Sequence, residues 1–510
     1  MSTSSFFLEK YLTAKLKTNT NSASQLRYAL SLSIEQALKT KLNQLPKHSL
    51  KWLYFANKLA KYDGKTASLL AQFYLSKNTD KGVFWYQQAI RLDFEPAKLV
   101  LAKWYFSQHK FNKSRTLLNS IINKTPQSSL LMAKLLIAQG IVSLATKNLL
   151  RAEFSRLSIS ITGQQLLEKI RHYQILTNNV NQNVKTKLIT TSSALACDNS
   201  IQFFATNLSD LAKIEQLIAA FKLHPLNDFV CFAPVRYRAL SSLQCNTAAK
   251  VQSSFNKSVT IQCKESHWQD IANTIQSRFI GVLLPRGGAN VHLGILYLDS
   301  KDNNDVFAHE ISHLLGFVDE YPLPNTHQKC QATQQSIFAT NVAVLPQVYI
   351  GNRKTLRAKV LANVAWREQI KASTPIFQQV NAVNLTKVNK LNKTEKVIKW
   401  QLGTPSNYAQ EVGIFKAQSC DNTIVQAFKP VSYQTQLRYF EKDFPAVYSQ
   451  ILKQSGNKYI MPSFHYNIAR GYLADSLHEN NNQQAHYWLQ QAAKFEHKKS
   501  RINKILTANF

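Results

Sequence analysis

The 510-residue sequence predicts a multidomain protein with an N-terminal α-helical repeat region, a central α+β domain and a C-terminal helical repeat. Three observations support this prediction. Residues 1–176 show apolar side chains at helical spacing, a motif from that region returns in 464–498, and strand-like runs between them lead into a helix with an HExxH motif. The predicted boundaries are 1–176 for the first region, 177–196 for a polar linker, 197–455 for the central domain and 456–510 for the last repeat.

The repeated motif combines a small residue with an aromatic residue on each helix. Phe84–Ala89 reads FWYQQA and Tyr487–Ala492 reads YWLQQA, while Ala71–Tyr74 and Ala102–Tyr105 begin similar units. A period of about 34 to 36 residues is typical of helical-hairpin arrays, whose units stack to bury a shared core. These segments resemble tetratricopeptide-type, Sel-like repeats, and this resemblance implies an α-helical solenoid with a surface for a protein partner.

The central domain is predicted to alternate strands and helices. Strands are predicted at 201–205, Phe229–Ala233, Phe279–Leu284 and Val291–Leu298, with a helix over Leu208–Phe221. The last strand directly precedes the HExxH helix, so it could pair with an extended peptide as an added strand.

The stretch Val306–Tyr321 reads VFAHEISHLLGFVDEY and contains the pattern that indicates chemistry. His309 and His313 are four residues apart, so on a helix their imidazoles lie on one face and can bind one metal ion. Glu310 lies beside them and can act as a general base toward water. The alternative is an amphipathic helix with structural histidines.

The residues after this helix supply the rest of the predicted site. Gly316 can take the left-handed conformation that ends a helix, which would turn the chain so that Asp319 reaches the same ion. Two histidines, one carboxylate and an open position form the ligand set of a catalytic zinc site. Glu320 is an alternative third ligand. Tyr321 is a candidate hydrogen-bond donor to the oxyanion, with a packed aromatic as its alternative role. The prediction is therefore a Zn²⁺ site with ligands His309, His313 and Asp319 and with catalytic residues Glu310 and Tyr321.

Several further segments follow in an order typical of one family. The motif His309–Asp319 is preceded by Arg286–Gly288 and followed by Trp366 and by Val412–Phe415, VGIF. Together they resemble the IgA-peptidase-like zinc metallopeptidases, and the HExxHxxGxxD spacing is similar to the wider metzincin pattern. The resemblance implies a zincin or metzincin-like peptidase domain, a catalytic zinc ion and a protein or peptide substrate. Metzincins place a methionine-containing turn beneath the metal, and in this chain Leu437 would occupy that turn.

The charge and hydropathy of the chain restrict its partners. The sequence has 62 Lys and Arg against 29 Asp and Glu, a net charge of +33 spread along the whole chain. No basic stripe interleaved with aromatic residues appears, which makes a nucleic-acid partner unlikely in spite of the charge. No run of apolar residues reaches the length of a transmembrane segment.

The cysteines give conflicting indications of location. All six fall between Cys197 and Cys420, and no CxxC pair is among them. An even number confined to one domain favours disulfides and an extracytoplasmic compartment, such as the bacterial periplasm or cell envelope. The start of the chain shows no signal peptide, which keeps a cytoplasmic location as the alternative.

Two functions of different classes follow from the sequence. The first is a zinc-dependent endopeptidase whose repeats bind a partner or the substrate. The alternative is a repeat-based interaction scaffold with an inactive peptidase-like centre. The intact Glu310 favours the enzyme, because an inactive centre would be expected to have lost this base or one of the histidines.

Overall fold

The computed structural model describes residues 3–18, 22–122, 124–139, 161–173, 175, 197–247, 261–324, 326–380, 386–388, 394–396, 398–421, 425–474 and 479–510. These residues form a multidomain, α-rich α+β protein with two compact units, Met1–Lys169 and Ile170–Phe510. The predicted linker, 177–196, lies outside the described residues. Within the described part of the chain, no helix is long and apolar enough to cross a membrane.

The first unit is helical because apolar residues recur every three or four positions along it. From α1 to α9, each helix packs against the next one in sequence. Small residues of the repeated motif lie at these contacts, since Ala71, Ala89 and Ala102 are fully buried. The helices are α1 (Thr3–Lys17), α2 (Ala23–Ser31), α3 (Glu35–Asn43), α4 (Leu50–Leu59), α5 (Gly64–Leu75), α6 (Thr79–Arg91), α7 (Pro96–Ser107), α8 (Phe111–Asn119) and α9 (Pro126–Gln139). A further helix, α10 (Ile161–His172), includes the last residues of the first unit and the first residues of the second.

The second unit is organised around a five-stranded sheet. The first seven strands of the unit are β1 (Ser200–Ala205), β2 (Cys231–Tyr237), β3 (Cys245–Thr247), β4 (Ile261–Cys263), β5 (Phe279–Leu284), β6 (Asn290–His292) and β7 (Ile295–Asp299). The sheet has the order β2-β1-β5-β7-β6 and is parallel except for β6, which runs antiparallel to β7 at the edge. Strands β3 and β4 form a separate hairpin.

Two predicted strands differ from the structure. The one predicted at Phe229–Ala233 is shifted to β2, and the one predicted at Val291–Leu298 is the hairpin β6–β7. The chain reverses at Leu293 and Gly294, which have φ values of 43° and 87°. A leucine with positive φ is uncommon, so the sequence pattern predicts one continuous strand where the structure has a turn between two strands. The exposed edge of the sheet therefore belongs to β6, whereas β7 lies inside the sheet.

Helices cover both faces of this sheet. The helices of the second unit are α11 (Leu208–Phe221), α12 (Gln269–Ala272), α13 (Asn304–Leu314), α14 (Gln328–Gln331), α15 (Arg353–Leu361), α16 (Ala446–Ser455), α17 (Phe464–Ala474), α18 (Glu479–Ala493) and α19 (Lys499–Leu506). On one face Phe203 of β1 contacts Phe307 of α13, with 5.4 Å between ring centroids. On the other face α17 and α18 share an apolar core with β5 and β7. The helices of the predicted repeat at 456–510 thus lie within the same compact unit as the sheet.

Smaller sheets complete the second unit. The remaining strands are β8 (Ala343–Pro346), β9 (Val348–Ile350), β10 (Phe377–Gln379), β11 (Thr386–Val388), β12 (Thr394–Lys396), β13 (Lys399–Leu402), β14 (Phe415–Asp421) and β15 (Val425–Lys429). They form the antiparallel sheets β14-β15-β8 and β10-β13-β9 and the hairpin β11-β12.

The six cysteines form three disulfides, all in the second unit. The pairs are Cys197–Cys231, Cys245–Cys263 and Cys330–Cys420. The prediction of disulfides from the even cysteine count is therefore confirmed.

Candidate metal centre

Helix α13 brings the two histidines of the HExxH motif together. Asn303 caps its start, because the side-chain oxygen accepts hydrogen bonds from two backbone N–H groups of the first turn, both at 3.1 Å. Phe307 and Ile311 are fully buried and fix the apolar side of the helix. His309 and His313 are one turn apart, so their rings become neighbours.

Three side-chain atoms converge beside this helix. The Nε2 atoms of His309 and His313 lie 3.0 Å apart. Asp319 Oδ1 lies 3.1 Å from the Nε2 atom of His309 and 3.3 Å from that of His313. The structure thus brings together the three residues that the sequence predicts as metal ligands.

The other ring nitrogens establish which atoms can bind a cation. His309 Nδ1 lies 3.0 Å from the backbone oxygen of Gln436, and His313 Nδ1 lies 3.1 Å from that of Phe317. A carbonyl oxygen only accepts hydrogen bonds, so each Nδ1 carries a proton and donates it. In a neutral ring each Nε2 then presents a lone pair toward the other Nε2 and toward the Asp319 carboxylate. Three acceptors at this separation repel one another unless a metal ion lies between them or one Nε2 is protonated and donates to Asp319.

The separations fit a zinc ion. In tetrahedral coordination with metal–ligand distances of about 2.0–2.1 Å, two ligand atoms lie about 3.3 Å apart. The three separations in this site are 3.0, 3.1 and 3.3 Å. Imidazole nitrogen and carboxylate oxygen are zinc donors, and an Nδ1–H that donates to a backbone carbonyl commonly orients such ligands. The geometry of His309, His313 and Asp319 is thus compatible with a bound Zn²⁺ ion.

The same contacts shift the pKa values of the site. Burial lowers the pKa of His313, but the charge and hydrogen bond of Asp319 outweigh this effect and raise the pKa to about 9. Burial acts in the opposite direction on Asp319, yet the two histidines hold the pKa of this carboxyl well below its usual range. At neutral pH, and without a metal, the site thus pairs a protonated His313 with an ionised Asp319.

This proton makes zinc binding dependent on pH. Zinc needs a neutral Nε2, so binding at pH 7.5 should release about one proton, and the apparent affinity should rise about tenfold per pH unit up to about pH 9, above which His313 is already neutral. Calorimetric titration in buffers of different ionisation enthalpy counts the released proton. An affinity that is the same at pH 7 and pH 8 would contradict the protonation of His313.

Glu310 lies beside the three convergent atoms. One carboxylate oxygen of Glu310 and one ring nitrogen of each histidine all lie within 4.8 Å of one another. The side chain is buried, and this burial raises the pKa of Glu310 in spite of the opposing histidine charges. A carboxyl group with a raised pKa beside a metal site is suited to take and return a proton.

Gly316 makes the turn between helix α13 and Asp319 possible. Its φ of +88° lies in the left-handed region, and a Cβ atom at this position would overlap the backbone oxygen of Tyr459. The position thus requires glycine both for its backbone conformation and for the space that a side chain would need.

Gly316→Ala should lower the free energy of unfolding by more than about 2 kcal/mol, because overlap with Tyr459 adds to a left-handed strain of about 1–2 kcal/mol. Denaturant unfolding followed by circular dichroism measures this change. The comparison is Gly456→Ala, since Gly456 also has a positive φ (+55°, with a ψ of −143°) but no atom within 4 Å of the added Cβ, so its loss reports backbone strain alone. Equal losses in the two variants would show that the contact with Tyr459 does not matter.

Glu320, the alternative third ligand, is occupied elsewhere. Its carboxylate is 1% exposed and accepts hydrogen bonds from Asn341 at 3.0 Å, Lys429 at 2.8 Å, Thr435 at 2.9 Å and also Tyr448. Both oxygens are used by these four donors, so the structure does not support Glu320 as a metal ligand. We call these five residues the Glu320 cluster.

The turn that contains Leu437 lies against the metal site. The preceding residue, Gln436, gives its backbone oxygen to His309, and its side-chain oxygen lies 3.0 Å from His224 Nε2. Leu437 is fully buried, and its backbone oxygen accepts the N–H of Glu320 at 2.9 Å. This turn therefore contacts both the first histidine and the segment that carries Asp319.

Two aromatic residues border the site. Tyr321 is partly exposed, and burial together with the charge and hydrogen bond of Asp319 raises its pKa well above the ordinary value. Phe440 packs edge-on against His309, with 4.7 Å between ring centroids, and remains partly exposed. Tyr321 therefore lies close enough to Asp319 to feel its charge, and its catalytic role remains a prediction.

Two hydrogen bonds connect segments that are distant in sequence. The hydroxyl of Ser419 donates to the backbone oxygen of Asp319 at 2.8 Å. The indole N–H of Trp366 donates to the backbone oxygen of Gly413 at 2.8 Å. The second bond joins two of the segments on which the family resemblance rests.

Sequence reasoning missed the residues that support the ligands. Gln436, Ser419 and the four donors to Glu320 had no predicted role. Leu437 was predicted only as part of the turn beneath the metal, and no local pattern indicates that Lys429 and Leu437 contact residues more than 100 positions away.

Comparisons of the chain with protein-family models, with curated proteins and with solved structures give no match. The resemblance to a peptidase family therefore remains a prediction.

Proposed function

We propose that the chain is a zinc-dependent endopeptidase with His309, His313 and Asp319 as metal ligands and Glu310 as general base. One observation carries the proposal: three acceptor atoms converge within 3.3 Å while both Nδ1 atoms donate to backbone carbonyls. The ligand types and separations of this group suit zinc, which would replace the proton that His313 carries in the metal-free site.

Bound zinc would supply a Lewis acid that polarises the peptide carbonyl and lowers the pKa of water. Glu310 accepts the proton of the attacking water and delivers it to the departing amine. The Nδ1 hydrogen bonds hold both imidazoles in the tautomer that leaves Nε2 available. The proposed role of Tyr321 is to donate a hydrogen bond to the developing oxyanion.

A peptide substrate is supported by the surroundings of the site. Strand β6 lies at the edge of the sheet and contacts helix α13, so an extended peptide could pair with it next to the metal. We further propose that the first unit is a solenoid of Sel-like repeats that binds a partner or the substrate. Consecutive helix packing and buried alanines of the repeated motif support this.

An extracytoplasmic location is also part of the proposal. Three disulfides join all six cysteines, and disulfides persist in oxidising compartments.

The deciding experiment is cleavage of a peptide library by the purified full-length protein, with and without a chelator, beside metal analysis of the same preparation. We expect about one zinc per chain and cleavage that stops with chelator and returns with added zinc. His313→Ala should lose both metal and cleavage. Zinc binding without cleavage of any peptide would contradict the endopeptidase and favour the alternative, a repeat-based scaffold with an inactive centre.

A further inference from the structure

The loop that carries Asp319 is bound by a single residue of strand β14. The hydroxyl of Ser419 donates to the backbone oxygen of Asp319 at 2.8 Å. The backbone oxygen of the same serine accepts the N–H of Leu323 at 3.0 Å. Ser419 is 2% exposed, so water does not compete freely for these two bonds. One buried residue thus binds both ends of the segment 319–323.

The peptide unit that follows Asp319 is held from two sides. Its oxygen accepts the hydroxyl of Ser419, and its N–H, which belongs to Glu320, donates to the backbone oxygen of Leu437 at 2.9 Å. Because a peptide unit is planar, the two hydrogen bonds together fix its orientation. The histidine ligands are positioned by helix α13, whereas the third ligand depends on contacts with distant segments.

Ser419 lies in a bulge of strand β14. Residues 418–420 are inserted between two consecutive register pairs with β15. The buried side chain of Gln426 donates to the backbone oxygens of Ala417 at 2.8 Å and Cys420 at 3.0 Å, one at each end of the insertion. A bulge redirects side chains out of the regular alternation of a strand. This one explains how the serine hydroxyl reaches the neighbouring loop.

The Cys330–Cys420 disulfide joins the bulge to the same loop. Cys420 directly follows Ser419, and Cys330 lies in α14, eleven positions after Asp319. Both half-cystines are buried in one apolar cluster. The chain that begins with Asp319 is therefore attached to β14 at two adjacent residues, by hydrogen bonds at the first and by a covalent bond at the second.

We propose that Ser419 positions the metal ligand Asp319 and that the Cys330–Cys420 disulfide holds Ser419 in place, so that high zinc affinity requires this disulfide. Without the covalent bond, the loop and the bulge can separate by exchanging their hydrogen bonds for bonds to water. The Asp319 carboxylate is then less often within reach of both Nε2 atoms. The inference rests on the proposed zinc centre and concerns the residues that keep its third ligand in place.

The test is the zinc affinity of the full-length protein, measured by competition with a chromophoric chelator. Cys330→Ala/Cys420→Ala should raise the zinc dissociation constant about 10- to 100-fold, and Ser419→Ala, which keeps the disulfide, should raise it about 10-fold. The side chain of Asn341 binds the backbone N–H and oxygen of Val318, both at 2.9 Å, and remains in these variants. Zinc binding should therefore be weakened and not abolished.

Two readouts separate the placement of the ligand from a general loss of stability. Cobalt bound in place of zinc should give a changed d–d absorption spectrum in both variants, because these bands report the ligand geometry. In the metal-free protein, the peptide that contains Glu320 and Leu323 should exchange its amide hydrogens faster than in the parent, because its hydrogen bonds to β14 are weakened. Hydrogen-exchange mass spectrometry measures this rate.

Matched controls remove the same kinds of bond elsewhere. Cys245→Ala/Cys263→Ala opens the disulfide between β3 and β4, which packs in the core on the other face of the five-stranded sheet. Ser114→Ala removes a buried hydroxyl that donates to a backbone oxygen at 2.8 Å in the first unit. Both controls should bind zinc and cobalt as the parent does, and thermal unfolding shows whether each variant is folded.

The proposal is overturned if Ser419→Ala binds zinc like Ser114→Ala, or if the two double-cysteine variants lose the same affinity. Should the Cys330→Ala/Cys420→Ala protein not fold, Ser419→Ala decides, because parental zinc affinity in this folded variant contradicts the positioning role. A parent that binds no zinc would instead contradict the proposed function. Faster exchange of the peptide 319–323 in the variants would then still support the attachment of the loop to β14.

Discussion

Glu310→Gln should bind zinc as the parent does and hydrolyse peptides about 100- to 10,000-fold more slowly. The three convergent atoms belong to His309, His313 and Asp319, so the metal ligands remain in this variant. Glutamine has nearly the shape of glutamate but cannot take a proton from water. The loss should therefore appear in kcat, with zinc content unchanged.

The measurement is kcat and KM on one peptide found in the library, together with zinc per chain by atomic absorption. His313→Ala is the comparison, because it should lose the metal and the activity together. If the Glu310→Gln protein keeps the parental activity, Glu310 is not the general base. Loss of zinc in Glu310→Gln would make this residue a ligand instead.

Glu320→Gln should lower the free energy of unfolding of the second unit by about 3–5 kcal/mol, because it leaves the Lys429 ammonium buried without its counter-charge. The side chains of Glu320 and Lys429 are 1% and 7% exposed, with 2.8 Å between Nζ and Oε2. Because Glu320 directly follows Asp319, zinc affinity should fall as well. Denaturant unfolding and competition with a zinc-sensitive dye measure the two effects.

Two controls separate the buried charge from other causes. Glu368→Gln removes a carboxylate that pairs with Arg367 at the surface, and it should cost less than about 1 kcal/mol. Adding Lys429→Met to Glu320→Gln removes the unpaired charge and should recover much of the lost stability. If Glu320→Gln is no more harmful than Glu368→Gln, the Glu320 cluster does not hold the site together.

What the sequence could predict is the structure determined by local pattern. The helix Leu208–Phe221 and the strand Phe279–Leu284 have the bounds predicted from their periodicity. The sequence does not predict the hairpin β6–β7, because its turn requires a positive φ at Leu293. Leucine rarely adopts this conformation, so the residue type gives no sign of a turn. Strand β2 was displaced by a short 3₁₀ turn at Asn227–Phe229.

In the candidate site, too, the sequence predicts the features that depend on local structure and not those that depend on tertiary packing. The contact between His309 and His313 follows from helix geometry alone, and Gly316 indicates a turn toward Asp319. The sequence could not predict the role of Glu320, because a carboxylate next to a metal ligand can either bind the metal itself or pair with a buried cationic side chain. Only the packing of Lys429 from β15 decides between the two.

The Glu320 cluster also has a consequence for synthesis of the chain. Tyr448, its last member, lies 128 residues after Glu320. On the ribosome, helix α13 and the segment with Asp319 emerge long before the residues that fix them. Until Tyr448 has left the exit tunnel, Glu320 in the nascent chain lacks at least one of its four hydrogen-bond donors. The Glu320 cluster is therefore completed only after about 130 further residues have been synthesised beyond the segment that carries Asp319.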